Sequence, residues 1–212
     1  MQVGPVPPRT LRPHVAANLR RYARIAPWYD LLDRAFERHY RAGRALVGAH
    51  ASGLILEVGA GTGKNFAHYR AGSMVVASDL SEAMLARARR KARPSVRALV
   101  AAEAAALPLR DASADTVVAT FVCCVQDDPR PSLAEMARVV KPGGRLLCLD
   151  YTLPRNRAVR ALMRLIEAPL RAVYGIRWHH DVPRLLEAAG LRVCEVRPVW
   201  GPVVRYIAAE RP

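Results

Sequence analysis

The 212 residues, 51% of them apolar, suffice to bury a full core, and the chain reads as one domain or one domain with an N-terminal extension. No apolar run approaches the roughly 18 residues of a membrane span. No apolar stretch accompanies the prolines and arginines of the first 25 positions, which sets the expectation of an intracellular protein without a signal peptide. Net charge is +15, and 30 of the 33 basic residues are arginine, which fits either the codon bias of a GC-rich genome or a surface that meets phosphates.

Residues 1–12 carry the prolines and arginines of a loose segment. From Val15 to Ala26, apolar Val15, Leu19, Tyr22 and Ile25 recur at helical spacing. From Leu31 to Val47, the positions Leu31, Leu32, Phe36, Tyr40 and Val47 oppose Arg34, Arg38, Arg41 and Arg44. Between the two lies Ala26-Pro-Trp-Tyr-Asp30, a break with adjacent aromatics. After Gly53 short apolar runs alternate with helical ones, the pattern of a parallel α/β sheet. Strands are predicted at 54–58, 74–78, 96–100, 116–121, 145–150, 192–197 and 203–208. Helices are predicted at 65–69, 81–91, 130–140 and 183–189. Ser81 supplies an N-cap for the second of these helices. Lys141-Pro-Gly-Gly144 supplies a stop for the third. Residues 155–175 interrupt the alternation with an amphipathic helix. Arg157, Arg160, Arg164 and Arg171 occupy one face, and Val159, Leu162, Met163, Ile166, Leu170 and Val173 another. Such a helix lies at a membrane interface, or packs on the sheet or a second copy of the chain.

The most informative segment is Leu54-Ile-Leu-Glu-Val-Gly-Ala-Gly-Thr-Gly63. An apolar strand ends in Glu57, and Gly59, Gly61 and Gly63 then allow a tight turn and close approach of the backbone to a ligand. The dinucleotide fingerprint G-x-G-x-x-G would require glycine at position 64, which is Lys64. Cys123, Cys124, Cys148 and Cys194 form no C-x-x-C pair, three of them lying in apolar strand-like runs. Buried thiols are expected, with neither a metal site nor a disulfide framework.

Several segments, in order, resemble the class I S-adenosylmethionine (SAM)-dependent methyltransferases. Glu57-Val-Gly-Ala-Gly-Thr-Gly63 is similar to their motif I, and Ala77-Ser-Asp-Leu-Ser-Glu-Ala-Met-Leu85 to their second-strand motif. Ala102-Glu-Ala-Ala-Ala-Leu-Pro-Leu109, Asp111-Ala-Ser-Ala-Asp115 and Glu135–Gly144 continue the match. The resemblance implies a Rossmann-like α/β fold with a seven-stranded, mostly parallel sheet covered by helices on both faces, the last strand antiparallel. It also implies an N-terminal helical lid at 1–50 and a methyltransferase domain at 51–212, with a helical insertion near 155–180 between the fifth and sixth strands. SAM is the implied cofactor and S-adenosylhomocysteine the product, with no metal. Asp79 is expected to accept from the ribose hydroxyls, and Glu103, where the family usually has Asp, from the adenine amine. Leu80 and Ala104 would sandwich the adenine. Glu57, Gly59, Ala60, Gly61, Thr62, Gly63, Met84 and Thr120 complete the expected cofactor set.

The methyl acceptor is read from the variable segments. Tyr22–Asp30 resembles the segment before motif I in the quinone C-methyltransferases and in the bacterial phospholipid N-methyltransferases. Arg177-Trp-His-His-Asp181 resembles a late segment of the phospholipid enzymes, and Ala119–Val125 departs from the quinone pattern. The expectation is stepwise N-methylation of phosphatidylethanolamine toward phosphatidylcholine by an enzyme held on the anionic inner face of a membrane. C-methylation of a ubiquinone or menaquinone precursor and S-methylation of a small thiol are the alternatives. Tyr22, Tyr29, Trp28 and Trp178 could stabilise the methylated cation through their faces. Tyr29, His179 or His180 could take the amine proton. Ordinary packing and solvated surface are the competing uses of these side chains, and His14, His39, His50 and His68 read as structural or exposed. A non-catalytic SAM-binding protein or a nucleic-acid methyltransferase belongs to a different class. Against nucleic acid, no N-P-P-Y-like motif and no added RNA-binding domain are present.

Overall fold

The computed structural model describes residues 12–152, 154 and 156–212, without the side chains of 164–166; of the expected loose segment 1–12, residues 1–11 lie outside that description, as do the side chains of Arg164 and Ile166. Three helices, α1 (Pro13–Ile25), α2 (Tyr29–Leu32) and α3 (Arg34–His50), precede the sheet. The single helix expected across 31–47 is broken at Asp33, whose side chain turns aside to pair with Lys64 beside the glycine loop.

Seven strands follow: β1 (Leu54–Val58), β2 (Met74–Asp79), β3 (Val96–Ala101), β4 (Ala114–Thr120), β5 (Val140–Tyr151), β6 (Arg192–Trp200) and β7 (Val204–Glu210). Their spatial order is β3-β2-β1-β4-β5-β7-β6, with β7 antiparallel to both its neighbours and the other pairings parallel. Helices α4 (Glu82–Lys91), α5 (Arg130–Val139), α6 (Arg157–Tyr174) and α7 (Val182–Ala188) complete the chain. The hydroxyl of Ser81 accepts from the Met84 amide at 3.4 Å, so the expected N-cap is present. The Lys141–Gly144 segment does stop α5, but its backbone joins β5, because Gly143 and Gly144 exchange hydrogen bonds with Arg211. The segment expected as a helix at 65–69 is a 3₁₀ turn over Lys64–Ala67.

Side chains alternate across the sheet with period two. Val117, Ala119, Leu146 and Cys148 enter one core beneath α5 and α7, and Val118, Leu147 and Leu149 enter the other with Tyr40 and Val47 of α3. Each fully buried aliphatic residue contributes about 1.5–3 kcal/mol. Cys123, Cys124 and Cys148 are buried as expected, whereas Cys194 is exposed because it lies on β6, the edge strand.

The chain leaves β1 toward β2 on one side and returns to β4 on the other. A switch of this kind opens a crevice outside the carboxyl ends of the strands. Helix α6 closes that crevice from above. Asn156 caps it by accepting from the Ala158 and Val159 amides at 2.8 and 3.2 Å, and Gly175 ends it in the left-handed conformation at φ 75°. Its apolar face, with Met163 buried and Val159 and Leu170 half-buried, packs inward over the cavity. Leu162 and Val173 stay exposed.

Candidate active site

A cavity of about 440 Å³ occupies the crevice and runs from the glycine loop to a chamber under α1 and α6. Its two ends are built differently.

At the first end β1 delivers Gly59, Ala60 and Gly61. Gly59 and Gly61 have positive φ, 68° and 55°, the conformation that favours glycine. A Cβ at Gly59 would meet Val122 at 2.6 Å, so this glycine serves packing. At Gly61 a Cβ would find nothing within 4 Å, leaving backbone bare toward the cavity. Asp79 closes β2, and its two carboxylate oxygens accept from the Gly61 and Ser81 amides, both at 2.8 Å. Burial raises the Asp79 pKa against those two bonds. Leu80, Met84, Glu103 and Ala104 line the same end, and Arg12 lies 3.4 Å from the Glu103 carboxylate.

Beneath the loop lies a polar network that sequence spacing did not announce. Asn65 donates to Glu57 at 3.0 Å and to the Thr120 hydroxyl at 2.8 Å, and Tyr69 donates to the other Glu57 oxygen at 2.8 Å. Arg44 of α3 donates to Asn65 at 2.8 Å and to Glu37 at 2.7 Å. Burial pushes Glu57 up to about 7, against the hydrogen bonds from Tyr69 and Asn65. Glu57 lines the cavity, but both its oxygens already serve this strut. Thr62 donates to Asp30 of α2 at 2.7 Å, and Lys91 of α4 reaches the same carboxylate at 2.5 Å.

The second end is aromatic. Tyr22 and Tyr29 pack tilted with centroids 6.2 Å apart, and Tyr29 meets Tyr174 of α6 edge-on at 6.5 Å. Tyr22 also donates to the Tyr174 carbonyl at 2.8 Å, joining α1 to α6 over the cavity. Deeper, Phe121 packs on Tyr40 at 4.6 Å and on Tyr151 at 5.5 Å, with Trp178 at 5.8 Å from Tyr151 and Trp200 at 6.0 Å from Tyr40. Phe121 has φ 57°, a left-handed backbone that costs a non-glycine residue about 1–3 kcal/mol and marks positions held by their surroundings. Its amide donates to Leu149 at 2.8 Å, which fixes that turn.

Tyr22, Tyr29 and Trp178 therefore meet in one cavity, as do Glu57, Gly59, Ala60, Gly61, Thr62, Asp79, Leu80, Met84, Glu103, Ala104 and Thr120. Four expected residues do not join them. Gly63 faces Phe66, which a Cβ there would strike at 2.5 Å, so it shapes the turn from outside the cavity. Trp28 is 64% exposed and forms no wall of a cage. His180 lies off the cavity: its Nε2 is 2.9 Å from the Gln126 carbonyl, where it pins the loop after β4, and burial lowers its pKa. His179 is exposed. Among the described residues the imidazole that lines the cavity is His14, with its Nδ1 3.8 Å from Asp127. Tyr40, Phe121, Tyr151 and Trp200 were missed, although the position of Phe121 and Tyr151 just beyond the carboxyl ends of β4 and at that of β5 is where such a crevice draws its residues.

Strand order, the antiparallel seventh strand and a glycine loop facing an acidic strand end together define a class I methyltransferase. A family model described as a methyltransferase domain matches residues 56–148. A demethylmenaquinone methyltransferase from Mycobacterium sp. (strain KMS) is 32% identical over 225 residues, spanning 94% of this chain and 95% of that one. A phosphatidylethanolamine N-methyltransferase from Cereibacter sphaeroides is 32% identical over 180 residues, spanning 81% of this chain and 87% of that one. The fold of a SAM-dependent methyltransferase from Thermotoga maritima superposes with a TM-score of 0.70 at 21% identity, covering 92% of this chain and 100% of that one. The chain belongs to the SAM-dependent methyltransferase family, and SAM is its methyl donor. The first end of the cavity fits that donor, since Gly61 leaves bare backbone beside a carboxylate. Among the described residues there is no cluster of metal-binding side chains, and no helix is long and apolar enough to cross a membrane.

Proposed function

We propose that this enzyme N-methylates the headgroup amine of phosphatidylethanolamine, stepwise toward phosphatidylcholine, while docked on the inner face of a membrane. The observation that carries the reading is the continuity of the cofactor end with an aromatic chamber closed by α1 and α6. Asp79 accepts from the ribose diol, Glu103 from the adenine amine, and Leu80 and Ala104 hold the adenine between them. Gly61, its amide held by Asp79, brings bare backbone against the methionine part. The bound donor supplies an electrophilic methyl on sulfur, and in-line displacement then depends chiefly on proximity and orientation.

The chain's own residues orient the acceptor. Tyr29, Trp178 and the neighbouring rings offer faces that favour a methylated ammonium by about 0.5–2 kcal/mol. Trp178 belongs to the segment that resembles the phospholipid enzymes, and it reaches the chamber wall. Trp28, Leu31 and Leu32 in and after the α1–α2 break and Leu162 on α6 are exposed apolar side chains. Exposed Arg20 and Arg24 on α1 and Arg157 and Arg171 on α6 suit an anionic bilayer. The helices of residues 1–50 act as the lid, tied to the glycine loop through Asp30–Thr62 and Asp33–Lys64.

A second reading, C-methylation of a quinone precursor, is favoured by the demethylmenaquinone methyltransferase relative that spans almost the whole chain and by flat aromatic walls that would hold a ring. The test is transfer of label from methyl-labelled SAM to vesicles of phosphatidylethanolamine and phosphatidylglycerol, with the lipids resolved afterwards. Labelled mono-, di- or trimethylated lipid is the expected result. Unlabelled lipid, with SAM binding confirmed in the same sample, overturns the phospholipid reading in favour of the quinone.

A further inference from the structure

Tyr40 of α3 and Tyr151 at the end of β5 bring their hydroxyls to 2.5 Å inside the chamber. Both side chains are buried, 3% and 6% exposed, and both line the cavity. A phenol carries one proton and two acceptor lone pairs. The pair therefore brings two protons to a hydrogen bond that uses one. Neither oxygen has another protein partner among the described residues. Phe121, Trp178 and Trp200 surround the pair and offer no oxygen to take the second proton. Burial raises both phenols well above their ordinary range, so both protons stay in place at neutral pH.

We propose that the Tyr40–Tyr151 pair is an oxygen-recognition element, whose second O–H donates to an oxygen of the methyl acceptor and orients it in the aromatic chamber. The acceptor class is thus an apolar or lipid-borne molecule with a hydrogen-bond-accepting oxygen a few bonds from its methylated atom. Both a phosphoryl oxygen beside an ethanolamine and a ring oxygen of a quinone-type compound meet that description. The inference rests on the reading of the chamber as the acceptor site. Tyr40 and Tyr151 are positioning residues in this account; the transferred methyl does not pass through them.

The two tyrosines can be told apart from a merely structural pair by non-additivity. Either Tyr40→Phe or Tyr151→Phe removes the mutual bond yet leaves one hydroxyl whose proton is wholly available to the ligand. Removing both leaves none. Two probes separate the oxygen sources: 1,4-naphthoquinone, read by quenching of Trp178 and Trp200 fluorescence, and single-turnover methyl transfer to phosphatidylethanolamine/phosphatidylglycerol vesicles. The quenching arm uses a Trp28→Phe, Cys194→Ser background, because Trp28 and Cys194 are exposed and quinones alkylate thiols. Each single variant is expected within about three-fold of its parent, and the double variant about ten-fold or more below it. A response in the quinone arm alone supports a ring oxygen, and one in the vesicle arm alone supports a headgroup oxygen. Single variants that lose as much as the double variant overturn the proposal, since the hydrogen bond is then structural. A double variant equal to its parent also overturns it while leaving the chamber as the acceptor site. Failure of both probes with the unmodified protein overturns the chamber reading and the pair together. Melting temperatures show whether each variant folds. Independently of any variant, the tyrosine bands of the unmodified protein in ultraviolet resonance Raman should shift toward the hydrogen-bond-donating form on adding naphthoquinone or vesicles; an unchanged spectrum with both overturns the proposal.

Discussion

The two ends of the cavity are held by different means. The cofactor end is built from backbone and short polar side chains at strand ends, with Asp79 and the Gly61 amide fixed to one another. The aromatic end, where the acceptor is proposed to bind, is built from large side chains on α1, α2, α3 and α6, at the ends of β4, β5 and β6 and in the segment after α6, drawn from positions 22 to 200. A local turn can specify the first end, whereas only the completed fold assembles the second.

The sharpest way to break that contrast is at Asp79. Asp79→Ala removes the carboxylate proposed to bind two hydroxyls, and SAM affinity measured by calorimetry is expected to fall by about 100-fold or more. Unchanged affinity would remove Asp79 from the donor site.

A second variant tests the strut beneath the loop. Burial pushes Glu57 up to about 7 from 4.5, so the stabilisation from holding its proton is complete below pH 4.5 and is lost as pH rises through 7. Glu57→Gln cannot titrate, and its melting temperature should decline less than that of the wild type between those values. Equal declines would show that the carboxyl does not titrate in that window. Asp150, pushed up to about 6 by burial, continues to titrate in both proteins.

The smallest effect is expected at His180. His180→Gln can keep a donor to the Gln126 carbonyl, and kcat/KM for methyl transfer should stay within about three-fold with an unchanged pH profile. Loss of a general base costs about 100-fold or more, so a drop of that size with a lost pKa would return His180 to the chemistry.

Legibility in the sequence follows the same division. Leu54–Val58 and its glycines were readable because an apolar run and a forced turn are local properties, and β1 has the expected bounds. The bounds of α4 were readable for the same reason, since Ser81 caps it through its own hydroxyl. Tyr40 was read as one apolar position on a helix, and nothing local to it points toward Tyr151, 111 residues away. Phe121 was read as the last residue of a strand, whereas the chain turns there into a left-handed conformation. The Arg177–Asp181 segment was half legible: Trp178 reaches the chamber, but His180 points to the Gln126 carbonyl in the loop after β4. The break at Asp33 coincides with its pairing to Lys64, a partner that local sequence does not point to.

Donor and acceptor ends are thus proposed to be separate in their residues and joined in one cavity. Trp178→Ala tests this most directly, with SAM binding by calorimetry and methyl transfer to phosphatidylethanolamine/phosphatidylglycerol vesicles measured on one preparation whose melting temperature confirms folding. SAM affinity is expected within about two-fold of wild type and transfer reduced by about ten-fold or more. Transfer at the wild-type rate, or loss of SAM affinity in step with transfer, would contradict that separation.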